Sequence, residues 1–292
     1  MPPHLHPDHD TPVIDGDVYV RPRHLARATG TGDPALAPLT ALGWSLRHDD
    51  LGNAYVHAPD DRVRLGFLPE GEDDGLWRIN AYKDPFAPPT WGVCFNDSVP
   101  TEFVTAFTTA LATAYEQGPD AYLARPDPRV PDRDPFRAVA PLTDRGWLFA
   151  RPDPDVFSIQ SPDKLASLDH TVGPLSLDDE LNTREARWHL WAGTSINRPL
   201  WYATASTDTP VALITAVTEC VADPAPLARW REATFSYAAG MAHLTPIEPD
   251  RPSAPTPLDV QRAVSLRPTP PRVTASVPRW STTTSRPAPS RR

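Results

Sequence analysis

The 292-residue chain holds 38 prolines, about 13% where roughly 5% is usual. Proline has no amide hydrogen to donate and breaks helix and central-strand interiors, which excludes a helical bundle, a coiled coil and a membrane bundle and points to short elements, many turns and a disordered segment. The net charge of −9 is not the footprint of a dedicated nucleic-acid binder, although the stretch from Pro246 to Arg292 carries eight Arg against three acidic residues and is locally basic.

Residues 1–16 read as a flexible leader. Met1 to Thr11 is polar and has no apolar signal core. His4, His6 and His9 with Asp8 and Asp10 would bind a metal only if something fixed their geometry, so no metal site is expected there. No apolar run approaches the roughly 18 residues of a membrane span, and a cytoplasmic chain is expected. The two cysteines, Cys94 and Cys220, fit neither a disulfide framework nor a zinc pattern. They read as small buried hydrophobes.

A strand is predicted over Val18 to Arg21, then a short helix over Pro34 to Leu42 that stops at Gly43, where glycine suits a left-handed end. Alternating segments follow. Trp44, Leu46 and His48 fall on one side, with Ser45 and Arg47 on the other. Val63, Leu65 and Phe67 alternate with Arg62, Arg64 and Gly66. Trp77, Ile79 and Ala81 alternate with Arg78, Asn80 and Tyr82. Trp91, Val93 and Phe95 alternate with Gly92, Cys94 and Asn96. A long helix over Val99 to Gln117 carries Phe103, Val104, Phe107 and Leu111 at helical spacing. Ser98 is its capping candidate.

The same order then repeats. Ala37-Pro38-Leu39-Thr40-Ala41-Leu42-Gly43-Trp44 recurs 103 residues on as Ala140-Pro141-Leu142-Thr143-Asp144-Arg145-Gly146-Trp147. Tyr19 matches Tyr122 at the same offset, Trp77 matches Trp188 at 111, and Trp91 with Trp201 and Pro100 with Pro210 match at 110. The second copy therefore holds a net insertion, placed in the polar stretch Gly173 to Ala186. Its predicted elements are a strand over Ala121 to Ala124, a short helix over Pro135 to Arg145 stopped by Gly146, strands, and a long helix with Leu213, Ile214, Val217 and Val221, for which Asp208 is the capping candidate. The expected fold is α+β: two tandem repeats, 17–118 and 119–232, each a mainly antiparallel sheet of four to six strands with one short and one long helix packed on it. The Pro/Ser/Thr/Arg-rich stretch 233–292 reads as a largely disordered tail.

Several markers recur in order: Tyr19-Val20-Arg21-Pro22-Arg23-His24-Leu25-Ala26, Gly32-Asp33-Pro34, the Gly43-Trp44 and Gly146-Trp147 pairs, Trp77 and Trp91. With the duplication, they make the chain resemble the actinobacterial domain-of-unknown-function family numbered 317, in two tandem copies. His24-Leu25-Ala26 has no counterpart in the second copy. The resemblance implies tandem domains without established catalytic residues and supplies no reaction.

No phosphate loop, HExxH helix, GxSxG elbow or CxxC pair is present, so no catalytic residue and no cofactor are expected. His57, near Asp60 and Asp61, reads as an ordinary strand histidine. The tryptophans in phase with Val, Leu, Ile and Phe read as core, whereas Trp191 lies out of phase, beside His189. The face opposite the core is the candidate binding surface. It gathers Arg47, Arg62, Arg64, Arg78 and Tyr82 from the first copy, and from the second Leu148, Arg187, His189, Trp191 and Tyr202. Guanidiniums there suit phosphates or acidic partners. The expectation is a non-enzymatic tandem binding or scaffold module that engages a protein partner or self-associates through its sheet faces. The alternative is a nucleic-acid binder using the Arg face and the basic tail.

Overall fold

The computed structural model describes residues 17–29, 32–69, 71, 74–150, 154–230 and 238–248. The leader 1–16, with its histidines, and the tail beyond 248 lie outside the described residues. The chain divides into two units, 1–247 and 248–292, and every described helix and strand lies in the first.

Alternating apolar positions build one ten-stranded antiparallel sheet to which each repeat gives five strands. The first repeat supplies β2 (Ser45–His48), β3 (Ala54–His57), β4 (Val63–Phe67), β5 (Trp77–Ala81) and β6 (Trp91–Phe95). The second supplies β7 (Leu148–Phe149), β8 (Val156–Gln160), β9 (Ala166–Thr171), β10 (Trp188–Ala192) and β11 (Trp201–Ala205). The spatial order is β2-β3-β4-β5-β6-β11-β10-β9-β8-β7. The last strands of the two repeats therefore meet at the centre, and the sheets are continuous rather than stacked.

The register at that seam pairs Phe95 with Ala203, Cys94 with Thr204 and Val93 with Ala205. Cys94 and Thr204 are 110 residues apart, the repeat offset, so equivalent positions face each other. The seam is a local twofold axis of the kind seen in symmetric dimers.

One face of the sheet is covered by the long helices, α2 (Thr101–Gln117) and α6 (Val211–Ala222), with α1 (Asp33–Ala41) beside α2 and α4 (Ala140–Thr143) beside α6. Trp44, Trp77, Trp91, Trp147, Trp188 and Trp201 are all buried on this side. Packing thus accounts for the in-phase tryptophans. Gly43 and Gly146 take φ of 78° and 83°, as the predicted left-handed helix ends require.

Several expectations are corrected. Ser98 and Asp208 do not cap the long helices. Pro100 and Pro210 occupy the cap positions themselves, their φ already fixed for a helix start, and their carbonyls accept from the Phe103 and Leu213 amides. Ser98 instead donates to Asp97, and Asp208 pairs with Arg125. The predicted strand Ala121 to Ala124 is replaced by α3 (Pro119–Tyr122), because proline just after Gly118 starts a helical turn. The helix expected over Pro135 to Arg145 is split into a 3-10 turn at Pro135–Ala138 and α4; Pro141 has no amide hydrogen for the Arg137 carbonyl. Leu46 does not join the core. It is 40% exposed, since β2 is an edge strand with no buried position.

A second, three-stranded sheet joins the first and last described strands. β1 (Asp17–Arg21) lies between β12 (Leu227–Trp230) and β13 (His243–Pro246). β13 and the preceding α7 (Ala238–Met241) fall within the stretch 233–292 assigned to the tail. After β1, a 3-10 turn at Arg23–Leu25 clasps the second repeat. The Arg23 guanidinium gathers the end of α6, donating to the Cys220 and Ala225 carbonyls and pairing with Asp223 at 2.5 Å. This is a favourable place for a cation. His24 Nε2 lies 2.8 Å from Asp163 Oδ2, and the His24 ring stands edge-on to Trp147. These contacts are made to the other copy.

The clasp is reciprocal. The Trp201 indole N–H donates to the His24 carbonyl at 2.8 Å, and the Trp91 indole N–H donates to the Tyr122 carbonyl at 2.8 Å. The tryptophan on each repeat's last strand of the large sheet thus holds the opening segment of the other repeat.

Two ionisable groups make stability depend on pH. Burial, reinforced by the charge of Arg187, pushes the His170 imidazole down from 6.5 to about 4. Burial pushes the Asp163 carboxyl up, but the bond to and charge of His24 outweigh it and hold the group at about 2. Both folded values lie below the unfolded ones, so the unfolded chain binds protons first as pH falls. Stability is complete above pH 6.5, declines toward pH 4 through His170, and declines again below 3.8 through Asp163. His189, pushed down by burial, adds to the first decline. Urea unfolding across pH 8 to 4 is expected to show this slope, and His170→Asn to flatten it.

Candidate functional site

Cross-strand pairing places the predicted surface residues on one face. Arg47 lies opposite Tyr55, Tyr55 opposite Gly66, and Gly66 opposite Arg78. The row continues from Arg78 to Cys94, Thr204, His189 and Asp169. Arg64 lies opposite Asn80, and Tyr202 opposite Trp191. Arg62 and Tyr82 extend β4 and β5 on the same side, joined by the Tyr82 amide to the Arg62 carbonyl at 2.7 Å.

These side chains differ in what they can still do. The Arg64 guanidinium stacks over the Tyr82 ring at 4.6 Å and donates to the Pro85 carbonyl at 2.9 Å. Arg62 lies 4.0 Å from Asp60. Trp191 is only 8% exposed, and its indole N–H donates to Asp169 at 2.7 Å. The His189 ring stands edge-on to Tyr202. Arg187 is held by Thr207 Oγ1 and by the Thr171 and Gly173 carbonyls. Leu148 sits exposed on the far edge strand. The open face is therefore not a uniform basic plate.

Its centre is a cleft of about 690 Å³ over β5, β6 and β11. The roof comes from the insertion, whose middle forms α5 (Leu177–Asn182). Asp178, Asp179 and Glu180 in its first turn suit a helix start. Glu180 pins the helix down. Its buried Oε1 accepts from the Arg187 amide at 3.0 Å and from the Thr207 amide and hydroxyl at 2.8 and 2.9 Å. Gly92 lets the roof approach, because a Cβ there would collide with Leu181 and Asn80. At the rim, Arg184 pairs with Asp74 at 2.7 Å and lies 4.6 Å over the Tyr202 ring. The Tyr202 hydroxyl donates to Asp74 at 2.7 Å. Burial and the Asp74 bond push this phenol well above its ordinary range.

Of the predicted residues, Arg78 and Tyr202 line this cleft. Sequence reasoning missed Asn80, Thr204, Asp74, Arg184 and Leu181. It also read Cys94 as a small buried hydrophobe, whereas the residue is half-buried on the cleft floor, on the face opposite Val93 and Phe95. The available signal was the insertion itself.

Comparison with known proteins now bears on these two halves. The sequence profile of SPDY, a domain of unknown function (DUF317), matches residues 57–116 and 160–227. The chain resembles this family in two tandem segments. The first matched segment runs from the end of β3 through most of α2, and the second from the end of β8 through α6. Both sides of the seam and the inserted α5 thus fall inside matched sequence. No curated protein and no solved structure matches the chain. Among the described residues no helix is long and apolar enough to cross a membrane.

Proposed function

We propose that the two tandem repeats form a non-enzymatic binding module that engages a protein partner across the open sheet face. The observation behind this reading is the cleft at the seam, about 690 Å³, within the range of clefts that enclose a small ligand or a short peptide segment. Its lining mixes apolar wall residues, Pro88, Pro89, Leu177 and Leu181, with a few polar groups. That is the balance of a recognition surface.

Nucleic acid is the second reading, favoured by Arg47, Arg62, Arg64 and Arg78 sharing a face. Against it, Asp74, Asp178 and Glu180 outnumber Arg78 and Arg184 around the cleft. That balance disfavours a phosphate backbone.

The test compares the full chain with Asn80→Trp, which fills the cleft from its floor. An affinity pull-down should recover a protein with the native chain and lose it with the variant, while the unfolding midpoint stays within a few degrees. No DNA retardation should appear even at low salt. Retardation that disappears in Arg62→Ala/Arg64→Ala would replace this reading with the nucleic-acid one.

A further inference from the structure

An apolar knob stands beside the cleft. The loop that joins β5 to β6 places Pro88 and Pro89 in the cleft wall and carries Phe86 just ahead of them. Phe86 is 98% exposed, more than any other large apolar side chain among the described residues. A ring left in water gains nothing from the hydrophobic effect, so packing within this chain does not account for it.

The loop holds that ring in place. The Asp84 side chain accepts from the Phe86 amide at 2.9 Å, and the Asp84 carbonyl accepts from the Ala87 amide at 3.0 Å. The Lys83 amide donates to Thr90 Oγ1 at 3.1 Å and closes the base of the loop. From β4, Arg64 donates to the Pro85 carbonyl at 2.9 Å, which ties the loop to the open face. Pro85, Pro88 and Pro89 fix further backbone angles. A loop already ordered loses little freedom on binding, and an aromatic side chain on such a support is the usual build of an interface anchor.

Knob and cleft lie side by side on one surface, and such a surface is complementary to a copy of itself rotated by half a turn. The cleft, about 690 Å³, has room for an aromatic side chain between Pro88 and Pro89 on one wall and Leu177 and Leu181 on the other. Charge divides in the same sense. Lys83 and Arg64 flank the knob, and the Asp84 carboxylate is taken up by its own loop. Asp178 and Asp179 open α5 across the cleft. After half a turn, the basic side of each copy meets the acidic side of the other.

We infer that two copies of this chain pair about a twofold axis, each seating Phe86 in the other's cleft. This rests on the protein-binding reading above and names the partner as a second copy. Two buried phenylalanines supply about 300–500 Å², whereas a stable interface buries about 1,200–2,000 Å². The loops and cleft rims around the two rings supply the remainder.

Sedimentation equilibrium of the full chain should show dimers that dissociate on dilution. Phe86→Ser should raise the dissociation constant at least about tenfold and leave the unfolding midpoint unchanged, because the ring has no packing to lose. Asn80→Trp, which fills the cleft, should weaken the dimer as well. Ile196→Ser should not, although Ile196 is exposed at the equivalent loop position of the second repeat. Mixing the variants tests the geometry. A Phe86→Ser chain keeps its cleft and an Asn80→Trp chain keeps its knob, so the mixture restores one of the two joints and should associate more tightly than either variant alone. A dimer indifferent to Phe86→Ser, or a mixture no tighter than its components, would overturn the inference. A chain that stays monomeric yet retains a different protein, lost with Asn80→Trp, would overturn it and leave the protein-binding reading standing. A monomer that retains none would overturn both.

Discussion

Trp201→Ala is expected to lower the unfolding free energy by about 3–5 kcal/mol, the usual result of emptying a buried large aromatic site. Trp201 is 1% exposed and packs edge-on against Phe103 at 5.3 Å. Its indole N–H donates to the His24 carbonyl, so the variant loses a core side chain and a tie between the repeats together. Trp201→Phe separates the two contributions. It keeps most of the ring's packing but leaves a buried carbonyl without its donor, and a loss of about 1–2 kcal/mol is expected. Guanidinium unfolding followed by intrinsic fluorescence and by circular dichroism measures both. If Trp201→Phe costs nothing, the reciprocal clasp is not a major source of stability.

Arg229→Ala is expected to cost a similar amount, about 3–5 kcal/mol, for an electrostatic reason. Arg229, on β12, is buried and donates to both carboxylate oxygens of Glu102 on α2, at 2.8 and 2.6 Å. Its Nε donates to the Arg27 carbonyl. Truncation leaves the Glu102 carboxylate, one third exposed, and a backbone carbonyl without their donor. Arg229→Met combined with Glu102→Gln removes both charges and should lose distinctly less than the sum of the two single changes, because the residues are directly coupled. Additivity in that cycle would show that the pair contributes nothing of its own.

The sheet is legible in the sequence because its signal is local. Period-two alternation in β4, β5 and β6 assigns each side chain to a face, and the duplicated anchors carry that assignment to the second repeat. The helix starts are not legible at Ser98 and Asp208, because capping is judged there from side-chain type whereas the prolines set the backbone. α3 is hidden because a match to Tyr19 implies a strand, yet strand pairing is a tertiary event and β1 finds its partners near the other end of the folded unit. The candidate face is legible as a set of positions on one side of a sheet. Its cleft is not: depth there comes from α5, and Leu181 reaches over Gly92 from a segment some ninety residues away. Trp191 looks available because it is out of phase with the core, but Asp169, visible only through pairing, claims its indole.

The seam has a further meaning once Cys94 and Thr204 are seen as the same position used twice. A groove centred on a true twofold axis looks the same after half a turn, so it would accept a chain equally well in either direction. Fusion into one polypeptide allowed the halves to diverge without disturbing their shared strand pairing. α5 occurs in the second half alone, and it walls one flank of the groove while Pro88 and Pro89 of the first half wall the other. The insertion therefore gives the groove a polarity.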